Sequence, residues 1–379
     1  MKICMLGDAP SSHLQHMAGG LARRGLEIHI ITHKPVEIEG VSLEKFSVPP
    51  FGWRYMAPWS KRRIQHLRRI MRRFDVVHIH FLHDWGMTPE IASEGNLVVT
   101  PWGSDIVHPP DTPPSEPELL RVRRRLLRTA KCVTAWGPTF ARAVADFADL
   151  DPNRIRIVPL SVDTELFAPQ PPSFPPCQGG TKGGCDTPVI GYFKGFAPVY
   201  GPLIMVEAAA RVVGRRPEVR FEFVGDGALL DAARRRVDEL RIGHAIRWRS
   251  HQPHDALPSI MAGWDIVAIS SRRESFGLAA LEASAMGLPV VATDVGGLHE
   301  TVLHEETGLL VAPEDPQALA DGLLTLLGDP QRRRAMGATG RRMVIERFGR
   351  DRVLDSWVDL YEHTIRSTAS SAGVAPVHV

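Results

Sequence analysis

Short, nearly continuous apolar runs recur along the chain, most of them followed by a stretch with apolar residues at helical spacing. In the first part these runs fall at residues 2–6, 26–32, 76–81, 97–100, 132–135 and 155–158. The segment 11–24 reads as a helix that Gly25 stops, and arginine-rich helical patterns fill later gaps. Strands without polar alternation belong to a parallel sheet covered on both faces, and strand–helix alternation builds such a sheet. The pattern therefore predicts an α/β, Rossmann-like domain over 1–167. Residues 168–188 (APQPPSFPPCQGGTKGGCDTP) carry no apolar periodicity and are dominated by Pro and Gly, which predicts a linker or surface insertion.

A second alternating series follows, with strands expected at 189–193, 220–224, 246–249, 265–270, 289–293 and 308–311. Helices are expected at 203–213, 228–240, 278–286 and 316–327. This predicts a second Rossmann-like domain over 189–350, a helix at 351–366 returning to the first domain, and a disordered tail at 367–379. Two such domains are expected to face each other across a cleft at the carboxyl ends of their sheets, where ligands of open α/β folds bind.

Length and composition agree with that outline. The 379 residues suit two domains of about 150–200 residues each. An apolar share of 44% beside 23% charged residues describes a globular chain. No run of about 18 uncharged apolar residues is present, and the first residues enter a strand pattern rather than a signal sequence, so the expected compartment is the cytoplasm. Cys4, Cys132, Cys177 and Cys185 are too scattered for a disulfide framework or a zinc site, and no metal is expected. The formal net charge of +2 selects no partner.

The strongest chemical signal is Glu274-Ser275-Phe276-Gly277-Leu278-Ala279-Ala280-Leu281-Glu282, between the strand at 265–270 and the helix at 278–286. Gly277 permits a tight strand-to-helix turn whose backbone amides are expected to face the cleft, and a helix N-terminus offers a partial positive charge and unpaired donors to a diphosphate. Glu282, one turn inside, can accept from ribose hydroxyls, and Glu274 from a sugar hydroxyl. Spacing alone favours two solvated helix glutamates.

The surrounding sequence adds more. Residues 263–311 resemble glycosyltransferase family 4, the retaining GT-B enzymes among the group 1 glycosyl transferases. The family's Glu-x7-Glu element falls on Glu274 and Glu282, its Gly-x-Pro-Val-Val-Ala-Thr on 287–293, and its Gly-Gly-x-x-Glu on Gly296, Gly297 and Glu300. Phe223-Val224-Gly225-Asp226-Gly227 matches the strand-turn near the nucleotide, and 158–163 with Phe167 matches the interdomain hinge. The resemblance implies a GT-B fold with a UDP- or GDP-linked sugar as donor and no cofactor. It implies that Glu274 lies near the donor sugar, that Ser275, Phe276, Gly277 and Leu278 present amides to it, and that Glu282 holds the ribose. The family's diphosphate-gripping Arg and Lys fall on Lys194 and Val199, so one charge-assisted hydrogen bond is lost, worth about 1.5–3 kcal/mol or roughly 10- to 100-fold in rate. Lys182, Arg249, Arg272 and Arg273 are candidates to replace it, and Arg249 is assigned with Gly225 to the donor side.

The first domain is expected to supply the acceptor side, for a sugar, lipid-linked or small-molecule acceptor. His13 follows the first strand, with Ser12 as an expected helix cap beside it. His78, His80 and His83 end or follow a strand, where His78 and His80 also fit simple packing. Trp102 stands near the position of a donor-contacting His in many relatives, and Asp105 fits either a hydroxyl partner or a turn cap. The helix pattern at 61–74 fits both contact with anionic lipid at the inner face of the membrane and ordinary packing, whereas 119–131 fits packing better. Aromatic residues do not interleave with the basic ones, which argues against nucleic acid. The sequence thus predicts a retaining glycosyltransferase for glycan, glycolipid or polysaccharide synthesis. A sugar-nucleotide-binding protein without turnover and a GT-B epimerase are the rivals; donor hydrolysis or transfer separates the first, conversion of donor without acceptor the second.

Overall fold

The structure, a computed structural model, describes residues 1–46, 58–82, 95–106, 117–169 and 187–371. His83, Lys182, Cys177 and Cys185, and nearly all of the expected linker, lie outside the described residues. The chain forms two compact units, Met1–Pro159 with Asp351–Val379, and Leu160–Arg350. The hinge residues 160–167, expected in the first domain, thus pack with the second. Phe167 is fully buried there, and Asp163 pairs with Arg350 at 2.5 Å.

The first unit contains β1 (Lys2–Leu6), α1 (Ser12–Arg23), β2 (Glu27–Thr32), β3 (Val41–Lys45), α2 (Pro58–Met71), β4 (Val76–His80), β5 (Leu97–Thr100), α3 (Pro117–Thr129), β6 (Cys132–Ala135), α4 (Pro138–Ala148) and β7 (Ile155–Ile157). Its sheet is parallel in the order β3-β2-β1-β4-β5-β6-β7. Every residue of β4 and β5 is buried, as strands covered on both faces must be. Strand β3 (VSLEK) is a half-exposed edge strand, so it has no apolar run to announce it. Helix α4 follows the extended Gly137 with Pro138 at its start and buries Phe140, Ala141, Val144, Ala145 and Ala148.

Both basic helices use their apolar faces inside the unit. Leu67, Ile70 and Met71 of α2 and Leu126 and Leu127 of α3 are buried. The α3 arginines satisfy the carbonyl end of α4: Arg124 donates to the Phe147 carbonyl at 2.9 Å and Arg128 to the Ala148 carbonyl at 2.6 Å. Cations at a helix C-terminus are favourable both as donors and as charges.

The second unit contains β8 (Val189–Tyr192), α5 (Pro202–Arg215), β9 (Arg220–Val224), α6 (Leu230–Glu239), β10 (Ile246–Arg249), α7 (Leu257–Met261), β11 (Ile266–Ile269), α8 (Leu278–Ala285), β12 (Val290–Thr293), α9 (Leu298–Thr301), β13 (Gly308–Val311), α10 (Pro316–Gly328) and α11 (Pro330–Phe348). Its parallel sheet runs β10-β9-β8-β11-β12-β13. The order reverses between β8 and β11, which places the ligand-binding position of a doubly wound sheet beyond the carboxyl ends of those two strands. The long helix α12 (Arg350–Ser371) follows, and its Trp357 and Tyr361 are buried within the first unit against His78.

Candidate active site

Two of the candidate site residues meet at the β8–β11 switch point. Lys194 lies two residues beyond β8, Glu274 five beyond β11, and Nζ of the lysine meets Oε2 of the glutamate at 2.7 Å. Both side chains are largely buried, with 12% and 13% of their surface exposed, yet they sit on loops rather than in the sheet. Two contacts lock those loops together. The Ser270 hydroxyl donates to the Tyr200 carbonyl at 3.0 Å, and the Arg272 amide to the Val199 carbonyl at 2.9 Å. The lysine ammonium also stands 4.4 Å from the centre of the Tyr200 ring. Burial by itself pushes the Lys194 amine down. The Glu274 carboxylate, Tyr200 and the Glu282 charge outweigh it, so the net shift is upward and the group is an ammonium.

The turn into α8 is set by glycines. Gly277 has φ +101, a conformation that side chains rarely adopt. Gly296 packs on the Glu274 backbone so closely that an added Cβ would stand 1.8 Å from the Glu274 carbonyl oxygen, and the Gly297 amide donates to that oxygen at 3.0 Å. Among the described residues, the amides of Ser275, Phe276, Gly277 and Leu278 donate to no protein acceptor. The Phe276 ring, by contrast, is core: it packs edge-on against Phe348 at 5.9 Å. Unpaired amides at a helix N-terminus beside a lysine ammonium make a ready anion cradle. Gly225 completes the wall, its Cα face against the Lys194 carbonyl, where a Cβ would approach to 2.8 Å.

Glu282 is 6% exposed, on a helix whose residues 279–285 are all buried. It is therefore no solvated helix glutamate, which was the reading that spacing favoured. Its Oε1 meets Nε2 of His254 at 2.7 Å, and the imidazole is held above its ordinary protonation range, chiefly by that bond. His254 escapes sequence reasoning because it sits on a short 3-10 turn, His254–Ala256, 28 residues from its partner.

Two of the arginines expected to replace the missing lysine, Arg249 and Arg272, pair with carboxylates. Arg249 is bonded to Glu222, a buried carboxylate that also takes the Trp264 indole N–H at 2.7 Å and lies 3.3 Å from Arg247. Arg272 pairs with Glu314 at 2.5 Å. Their guanidiniums lock the sheet edge and a surface loop respectively.

In the first unit the structure brings His13 and Trp102 together, with ring centres 5.7 Å apart. Asp105 does not join them as a hydroxyl partner. It is 1% exposed and takes the amides of Leu82, Trp102 and Gly103 at 2.8–3.1 Å, which makes it a turn cap. Ser12 does not cap α1 either; Ser11 holds the N-cap position, without a side-chain bond. His78 is packed in the core, bonded to the Tyr361 and Thr100 hydroxyls at 2.7 Å each. Burial drives both it and His80 toward the neutral form, the latter's pKa down to about 3.

Two parallel, doubly wound α/β units, with an anion cradle at the switch point of the second, define a protein of GT-B architecture. Solved structures agree on that fold. Sucrose-phosphate synthase from Thermosynechococcus elongatus superposes with a TM-score of 0.81 at 21% identity, over 97% of this chain and 100% of that one. Anabaena HepE in complex with UDP superposes with a TM-score of 0.79 at 20% identity, over 96% and 100%. The family profile "Glycosyl transferases group 1" matches residues 184–343, and "Glycosyltransferase Family 4" matches 11–166. The D-inositol 3-phosphate glycosyltransferase of Nocardia farcinica is 30% identical over 353 residues, 84% of this chain and 76% of the relative. That of Corynebacterium glutamicum is 29% identical over 335 residues, 84% and 78% respectively. The chain belongs to the group 1, family 4 glycosyltransferases, and it is a glycosyltransferase.

Proposed function

We propose that this glycosyltransferase takes a sugar from a UDP- or GDP-linked donor and passes it, with retention of anomeric configuration, to an acceptor hydroxyl. The observation that carries the reading is the Lys194–Glu274 pair at the β8–β11 switch point, beside the unpaired amides that open α8. Lys194 and those amides hold the diphosphate, Glu274 holds the sugar, and Glu282 holds the ribose. The bond from the anomeric carbon to phosphate oxygen breaks, and the acceptor oxygen bonds to the same face of that carbon. The proton of the acceptor hydroxyl passes to the leaving phosphate oxygen. Fixed charge aimed at the developing diphosphate is the main rate-raising term for such a step.

Acceptor recognition is assigned to the first unit, where His13 and Trp102 meet. The known relatives support a phosphorylated polyol as the first acceptor to test, since those described above act on D-inositol 3-phosphate. The HepE structures with UDP, UDP and glucose, or UDP-glucose support UDP as the first nucleotide to test. Metal is not required by the reading, because ammonium and amides supply the positive charge. Glycan, glycolipid or polysaccharide synthesis is the corresponding role. Among the described residues no helix is long and apolar enough to cross a membrane.

The test is a melting panel with UDP-glucose, UDP-N-acetylglucosamine and GDP-mannose, followed by transfer to polyol phosphates with the product's anomeric proton read by NMR. A cognate donor at 100-fold over its Kd stabilises by about 2.7 kcal/mol. An axial donor linkage kept axial in the product supports retention; an inverted product rejects it.

A further inference from the structure

We propose that His254 is a positioning residue for donor binding: its imidazole clamps one oxygen of the Glu282 carboxylate so that the other is presented to the ribose hydroxyls of a nucleoside diphosphate. The inference rests on the assignment of Glu282 to the ribose. Nε2 of His254 and Oε1 of Glu282 are 2.7 Å apart, and both the hydrogen bond and the ion pair of this carboxylate among the described residues run through Oε1. The carboxylate is 7% exposed and its partner 31%, so the clamp sits at the border between core and surface, with the acid on the inner side.

The clamp is itself held. The imidazole tilts against the ring of Phe167, with centres 5.1 Å apart, and Phe167 is fully buried. The Phe167 carbonyl accepts from Arg341 of α11 at 3.1 Å, and the same guanidinium bonds the Ala285 carbonyl at the end of α8. One arginine therefore ties the seat of His254 to the helix that carries Glu282. The charges facing the imidazole are Glu282 on α8, Asp255 on its own turn and Asp163 on the segment before Phe167, the last already paired with Arg350. All three carboxylates favour the imidazolium, and the hydrogen bond to Glu282 is the largest contribution.

A glutamate has three rotatable bonds, and one that must meet a diol loses rotamer freedom on binding. Fixing it beforehand lowers that cost. A carboxylate with one oxygen already occupied can also be approached from one side only, which favours a ligand presenting adjacent hydroxyls to the remaining oxygen.

The test measures dissociation constants of UDP and of 2′,3′-dideoxy-UDP, with GDP and its dideoxy analogue in parallel, for the wild type and for His254→Ala, His254→Gln and Glu282→Gln. Turnover at saturating donor is measured beside them. The expected result is that His254→Ala weakens the ribonucleotide about ten-fold while changing the dideoxy analogue less than about two-fold and kcat less than about two-fold. His254→Gln, which keeps an N–H donor within reach of Oε1, is expected to recover most of the loss. In the double variant His254→Ala/Glu282→Gln the two losses do not add, because both act through one contact. If Glu282→Gln leaves both nucleotides unchanged, the ribose assignment falls and the clamp with it. If Glu282→Gln weakens the ribonucleotide but His254→Ala does not, the ribose assignment stands and the clamp is overturned. Equal weakening of ribo and dideoxy ligands by His254→Ala also overturns it, since that is general loosening of the unit.

Discussion

At the level of single residues, the proposed chemistry rests on Lys194 with Glu274. Removing one member of a largely buried ion pair strands the other charge, at a cost of about 3 kcal/mol. Lys194→Met is therefore expected to lower the melting temperature as well as abolish turnover. Adding Glu274→Leu should return most of the stability and none of the activity, which calorimetry and a transfer assay read separately. Glu274→Ala alone, which leaves a lysine able to reach diphosphate, should lower kcat about 100-fold with a smaller change in donor affinity. Some of these roles are legible in a string of letters and some are not. Glu274 and Glu282 stand out as candidates through their spacing within a resembling segment, because one turn and one helix place both. His254 is invisible, since its meeting with Glu282 is made by folding β10 and α8 into one unit. Asp105 and Arg249 show the converse ambiguity: a charged residue at a strand end fits a ligand contact and a structural one alike, and in the fold buried backbone amides engage Asp105 while Glu222 engages Arg249.

At the scale of elements, the loop from β11 to α8 is shaped by backbone contact rather than by side chains. Gly296→Ala would drive its Cβ into the Glu274 carbonyl, at a residue whose φ is +54. The loop must shift, so the expected outcome is a loss of donor-induced stabilisation and of turnover, while far-UV circular dichroism is unchanged. An active Gly296→Ala enzyme with a normal donor shift would show that this loop does not set the site. Elements with continuous apolar runs were readable from sequence, since burial on both faces leaves a dense signal. Strand β3 was not, because a half-exposed edge strand needs little apolar surface. Helix α8 is legible from its place in the strand–helix alternation and not from amphipathicity: residues 279–285 are all buried, so no polar face marks its direction. Helix α11 buries one side only, and on that side Gly337 sits against the Gly287 carbonyl, where an added Cβ would stand 1.9 Å away.

Across the whole molecule, acid is expected to act first through a buried neutral histidine of the first unit. His80 is buried, with neither ring nitrogen bonded among the described residues, and its folded pKa near 3 lies below the ordinary value of 6.5. The unfolded chain thus binds more protons in that window, and stability, full above about pH 6.5, declines as the pH falls toward 3. The slope from this one group approaches about 1.4 kcal/mol per pH unit. His80→Phe should flatten the acid limb of a melting-temperature profile, and an unchanged profile would show that the neutral imidazole is not the sensitive group. The two-unit plan was readable because each unit repeats the strand–helix period. The exact division was not: residues 160–167 read as the end of one domain but pack with the other through Phe167 and the Asp163–Arg350 pair.

The central claim is that a nucleotide sugar's diphosphate lies on the amides opening α8, beside Lys194. Hydrogen–deuterium exchange of the full chain, with and without the donor that the melting panel selects, tests it directly. Donor binding is expected to slow exchange at the amides of residues 275–278, and Lys194→Met to lose that protection. Protection confined to other segments, with 275–278 exchanging as fast as in the free enzyme, would contradict it.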